Sequence, residues 1–160
     1  MRPPKYPLDP LVQVRAHEVD DAARDLADSV RAREHAQGVR AAAERMRDDH
    51  AEGARLERET EQAALERGEL RAVDLMQRDA WEVRVAAERA AHERQLAETA
   101  AREAAARDEE RAAQGGLSAR KADEEVVTQH RAKWQAGEAT KRDARDEEAA
   151  VEAWRPKGER

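Results

Sequence analysis

The sequence predicts an all-α fold, a long antiparallel two-helix coiled-coil hairpin, and three observations carry that expectation. First, the 160 residues are 41% charged with both signs intermixed, and most of the 39% hydrophobic content is alanine. Ala, Glu, Arg, Lys and Leu are the strongest helix formers, and alternating charge suits solvated helix faces. Second, Val12, Ala16, Val19, Ala23, Leu26 and Val30 recur at alternating spacings of four and three, which marks a narrow coiled-coil seam. Third, Gly68 lies in ERGELRAVD between two helix-forming arms of comparable length, where a hairpin tip would divide them. Without Phe, Ile or Cys, little apolar area is available for a globular core, so disorder is the competing reading. A single rod with Gly68 in mid-helix competes with the hairpin. A rod so poor in Leu would need a partner chain along its whole length, which favours pairing within the chain.

Taken in order, residues 1–8 hold Pro3, Pro4 and Pro7 and form an extended lead carrying Arg2, Lys5 and Tyr6. The first helix spans 9–66, with Asp9 expected as its cap and Pro10 at the first helical position. After Leu26 the apolar pattern shifts by about one residue and resumes at Ala32, Ala36, Val39, Ala43 and Met46, which reads as a stammer. The tip takes 67–72 and the second helix 73–154. Its seam is expected at Met76, Ala80, Val83, Ala87 and Ala90, then Ala97, Ala101 and Ala104. Alanine layers contribute well below the ~1.5–3 kcal/mol of a buried Leu or Val. Glu98 with Arg102, Glu103 with Arg107 and Glu138 with Arg142 would support the surface at i,i+4. Gly115 and Gly116 predict a kinked but continuous helix. Beyond them Val126, His130, Trp134 and Lys141 share a stripe, Pro156 and Gly158 stop the helix, and 155–160 form a basic tail.

The same composition excludes several function classes. A net charge of −6 on mixed-sign surfaces disfavours nucleic acid, which needs a one-signed basic stripe. No apolar run reaches membrane-spanning length and no charged segment followed by an apolar one opens the chain, so a soluble cytoplasmic protein is expected. No phosphate-binding glycine loop occurs. Ser118 and Lys121 have an SxxK spacing, but a solvated helix offers them no oxyanion donors. His17 and Asp21 lie one turn apart with no second pair to complete a metal site. Acidic pairs such as Asp20–Asp21 and Glu147–Glu148 lack the concave, water-poor setting that acid–base chemistry needs. The expectation is no catalytic residue, no cofactor, no metal and no small-molecule substrate. Trp81, Trp134 and Trp154 are too large for an alanine seam and are candidates for contact with another protein.

The opening KYPLDPLVQVRAHEVDDAARDLADS, with its core Glu18-Val19-Asp20-Asp21-Ala22-Ala23-Arg24, resembles the N-terminus of the flagellar FliJ family, the stalk proteins of the type III export ATPase, related to injectisome stalks of the YscO type. The stretch RKADEEVVTQHRAKWQAGEATKRDARDEEAAVEAW resembles that family's other end. The resemblance implies a stalk that inserts into a hexameric export ATPase, promotes its assembly and activity, and reaches toward the export gate at the inner membrane. It implies ATPase contacts from Val12, Val19, Leu26, Arg31, His130, Lys133, Trp134, Lys141 and Arg145. Contacts with the cytoplasmic domain of the gate would come from Val39, Ala43, Met46, His50, Trp81, Val85 and His92. Export chaperones are further implied partners, and the free protein is expected to be a monomer. A generic coiled-coil scaffold and the equivalent injectisome stalk are the alternative readings.

Overall fold

A computed structural model describes residues 4–154, with the backbone alone at Leu75. The basic tail and the first three residues of the lead lie outside the described residues. Two long helices make up nearly all of it, α1 (Asp9–Glu66) and α2 (Ala72–Trp154), and no strand occurs among the described residues. The lead turns into α1 through the Tyr6 carbonyl, which accepts from the Asp9 amide at 3.2 Å. The Leu8 carbonyl then accepts from Leu11 at 3.0 Å and Val12 at 3.1 Å. Leu8 therefore stands at the cap, not Asp9. Pro10 falls one position further in, where its missing N–H still costs nothing. The Asp9 carboxylate is left to pair with Arg131 Nε at 3.4 Å.

α1 ends in a Schellman arrangement. Gly68, with φ 71°, donates to the Leu65 carbonyl at 3.0 Å, while Glu69 donates to Ala64 at 3.0 Å. The left-handed residue costs glycine nothing, and its two bonds satisfy carbonyls that the helix end would leave open. α2 begins at Ala72, one residue before the expected start. Asp74 Oδ2 accepts from the Arg71 amide at 2.8 Å, the reciprocal half of a capping box. Gly115 and Gly116 are helical, with no break in α2.

The chain forms two compact units, Met1–Leu26 with Ala113–Arg160, and Ala27–Ala112. In the first, Asp9 pairs with Arg131, Arg15 with Asp123 and Glu18 with Arg120. In the second, Arg33 pairs with Glu110, Arg40 with Glu103, and Arg78 with Glu61. In each unit the α2 number falls as the α1 number rises, so the helices are antiparallel.

Among the covered positions of α1, which also include Ala16 and Val30 beside the seam, one run goes 12, 15, 19, 22, 26, then 29, 33, 36, 40, 43, 47, 50 and 54. Three and four alternate throughout, so the expected stammer after Leu26 is absent. The apolar residues alone suggested a shift because Arg15, Ser29, Arg33, Arg40 and Arg47 occupy seam positions, where arginine stems cover the interior and Arg33 and Arg40 carry their guanidiniums to Glu110 and Glu103 of the facing helix. Ala22 is covered where Ala23 was expected, and Ala32, Val39 and Met46 are exposed. On α2 the correction is larger. Met76, Ala80, Val83, Ala87, Ala90, Ala97, Ala101 and Ala104 all lie on the exposed face. The covered side carries Arg78, Trp81, Val85, His92, Leu96, Thr99, Glu103, Ala106 and Glu110. Trp81, Val85 and Leu96 bring more apolar area than alanines can, so the face that contains them is the one withdrawn from water. Val127, not Val126, is covered in the first unit.

Candidate functional site

The first unit gathers Tyr6, His130 and Trp134 around the lead, while Trp154 is 85% exposed. Proline on both sides of Lys5-Tyr6 keeps this segment out of helix, and Tyr6 folds onto α2 until only 4% of it is exposed. Its ring lies 5.4 Å from Trp134 and 5.7 Å from His130, both tilted, and its hydroxyl shares a 2.6 Å hydrogen bond with His130 Nδ1. Beside this cluster lies a shallow cleft of ≈ 380 Å³ walled by Pro4, Tyr6, Arg131, Trp134, Glu138 and Arg142. Lys141 Nζ donates to Glu138 at 2.8 Å. That bond, ahead of the nearby charges of Lys141, Arg145 and Arg142, holds the Glu138 carboxyl below the usual carboxylate range against the opposing effect of desolvation. Arg142 instead reaches the Glu138 carbonyl at 3.4 Å, so the expected Glu138–Arg142 ion pair gives way to Lys141.

Of the residues that the resemblance assigned to ATPase contact, the structure brings His130 and Trp134 together with Tyr6 and leaves Lys133, Lys141 and Arg145 exposed on the same unit. Val12, Val19 and Leu26 are half-buried in the seam. Arg31 belongs to the second unit, where it donates to Asp28 on its own helix. Tyr6 is the residue that the sequence reading missed. Its signal was a lone tyrosine framed by prolines, a rigid segment with one large ring to bury.

The second unit contains a different cluster. His50 Nε2 donates to Glu88 Oε2 at 2.9 Å, and its ring lies 5.0 Å from that of His92. Trp81 Nε1 donates to Glu57 Oε2 at 2.6 Å, with the Arg58 guanidinium 5.7 Å over its ring. Both rest beside a groove of ≈ 270 Å³ lined by His50, Ala54, Arg58, Val85, Arg89 and His92. Of the residues assigned to the gate, Ala43 and Val85 are buried, His50, Trp81 and His92 are half-buried, and Val39 and Met46 are exposed. Deeper in this unit lies a polar layer. Glu103 is 2% exposed and accepts from Arg40 Nη1 at 3.1 Å and from Arg107. Thr99 is buried beside it and donates to the Leu96 carbonyl at 3.0 Å. Glu103 is thus a seam residue and not a surface one, legible only in the register that counts arginines. Among the described residues no group of three or more His, Asp or Glu converges on a metal position, and no helix is long and apolar enough to cross a membrane.

The family model of the YscO-like proteins matches residues 3–153. Among curated proteins none matches the chain. Among solved structures, that of CT670 from Chlamydia trachomatis, described as a proposed YscO homolog, superposes with a TM-score of 0.80. It is 24% identical, covering 94% of this chain and 91% of the other, and the likeness extends to the fold.

Proposed function

The chain belongs to the YscO-like protein family, and from that premise we propose that it is the central stalk of a type III protein export apparatus. In this role it engages a hexameric export ATPase and links it to the export gate. The observation that carries the reading is the match of one stalk-family model over nearly the whole chain. The geometry supports it: two antiparallel helices offer long charged faces for adjustable contacts with a ring of subunits. The ATPase-facing surface of the first unit is then Lys133, Lys141 and Arg145 with the Tyr6–His130–Trp134 cluster, while Val12, Val19 and Leu26 act by holding the helices together; Arg31 is a separate ATPase contact from the second unit. The gate-facing surface is the groove rim of His50, Trp81 and His92 with Val39 and Met46, and Ala43 and Val85 form its support. Export chaperones are further partners.

The N-terminal resemblance supports the flagellar system, and the YscO-like match supports the injectisome. Affinity capture from the native lysate separates them, since the ATPase recovered belongs to one system or the other. We expect a hexameric export ATPase to co-purify and its ATP hydrolysis to rise several-fold on adding the protein. Lys133→Glu with Arg145→Glu should abolish the rise while leaving helicity intact. Folded protein that neither captures nor stimulates an export ATPase overturns the proposal.

A further inference from the structure

The exposed side of α2 carries a second heptad that the fold does not use. Val73, Met76, Ala80, Val83, Ala87, Ala90, Arg94, Ala97, Ala101 and Ala104 alternate by three and four, and all ten are exposed, Met76 by 76% and Val83 by 72%. In a chain 41% charged, one charge in ten positions marks a selected stripe and not a random solvated face. From Met76 to Ala104, every apolar position of this stripe but Ala80 and Ala87 lies two residues before a covered one, about 200° around a helix turning 100° per residue. Two opposed faces of one helix are therefore built for helix packing, and only one has a partner within the chain.

We propose that this outer stripe, over Ala80 to Ala104, pairs with the same stretch of a second copy, antiparallel, in the register that sets Ala91 opposite itself. The flanking charges select that occupant. In this register Arg84 meets Glu98 of the second copy and Asp79 meets Arg107, each pair formed twice by symmetry. Arg107 uses Nη2 to reach Glu103 within its own chain, and its side chain is half exposed. Glu93 meets its own counterpart, beside Arg94 and its twin. Sliding by one heptad in either direction leaves no opposite charges facing across these flanks. A parallel pairing gains Asp79 with Arg84 but sets Glu93 against Glu98. Between the flanks, Ala80 stacks on Ala104, Val83 on Ala101 and Ala87 on Ala97. Small residues allow close approach over little area, so the association is weak and concentration-dependent. It is independent of the ATPase reading, since it needs no other protein.

Sedimentation equilibrium of the full chain from about 10 µM to about 1 mM at low salt tests the proposal. The expected apparent mass rises from 18.0 kDa toward twice that value. Arg84→Glu and Glu98→Arg should each suppress the rise at least several-fold, and the two together should restore it. No rise in the unaltered chain, a rise that neither single variant alters, or a double variant that stays monomeric overturns the pairing. Because the chain has no cysteine, a second measurement needs no charge change. Ala91→Cys should cross-link to itself with a short bis-maleimide, whereas Ala86→Cys, whose opposite residue is Ala100, should not; the reverse pattern overturns the register.

Discussion

The two units bring the same helices together with different interiors. In the first, Val12, Val19, Leu26, Leu117, Val127 and Trp134 line the seam and Tyr6 closes it from outside the helices. In the second, apolar cover comes from residues such as Ala36, Ala43, Trp81, Val85 and Leu96, and the deep layer contains charge, with Arg33 on Glu110 at 2.8 Å and Arg40 on Glu103, itself buried. Apolar contact is non-directional and tolerates sliding, whereas a carboxylate held by two guanidiniums has one register in which both are satisfied. The difference teaches that a helix pair poor in leucine can be stabilised by area where apolar side chains fill the seam and specified by charge where a carboxylate is buried in it.

The largest expected effect tests the aromatic closure. Tyr6→Ala should cost about 2–3 kcal/mol of the first unit's stability, since an almost fully buried ring is lost. Hydrogen exchange should show protection falling in residues 9–26 and 113–140 and unchanged in 27–112. Tyr6→Phe, which keeps the ring and loses the bond to His130, should cost about 1 kcal/mol. Equal loss of protection in both units would mean that the closure does not belong to the first alone.

Next in size is the charged layer. Glu103→Ala should cost about 1–2 kcal/mol, less than a sealed ion pair because Arg40 and Arg107 can turn to water. Glu103→Leu should recover that stability, or exceed it, because replacing a buried charge by a well-packed apolar residue removes a desolvation cost. Urea melts of the two variants decide this, and a leucine variant as unstable as the alanine one would show that charge contributes area-independent stability here.

Glycine substitutions follow, with opposite signs. Gly115→Ala and Gly116→Ala, helical with open space around an added Cβ, should each raise stability by up to about 1 kcal/mol. Gly68→Ala, which also has open space but a φ of +71°, should lower it by about 1 kcal/mol. Thermal melts showing the same sign at all three would refute the distinction between room and backbone conformation.

The smallest effect is electrostatic. The Glu18 carboxyl lies below the usual carboxylate range, foremost through its 2.7 Å hydrogen bond from Arg15, with the charges of Arg15 and Arg120 adding to it and desolvation opposing it. A carboxyl lowered on folding stabilises the folded state in full above its unfolded pKa of about 4.3. That contribution is lost as pH falls through the lower folded value. Carboxyl-carbon NMR should give Glu18 a midpoint below the usual glutamate range, and Arg15→Ala should raise it.

Much of this molecule could be read from residue order. Helix formers with mixed charge, Gly68 between two arms and the spacing from Val12 to Leu26 lead directly to two long helices folded back on each other, because propensity, a left-handed stop and heptad period are local properties. The candidate site was read less well. His130 with Trp134 and His50 with His92 were named for their character, while Tyr6 and Glu103 were not. Both depend on what lies across from them, a pocket for a ring in one case and two guanidiniums in the other.

α2 offers two heptad faces, and periodicity gives no way to choose between them. Counting alanine as apolar selects the stripe from Met76 to Ala104, yet the folded chain exposes it and covers Trp81, Val85, Leu96 and Glu103. The choice is made by area and by partners: large side chains and arginine stems on the facing helix withdraw more surface from water than alanines do. Helix, tip and direction belong to the order of residues; which face is inside belongs to the meeting of the two helices.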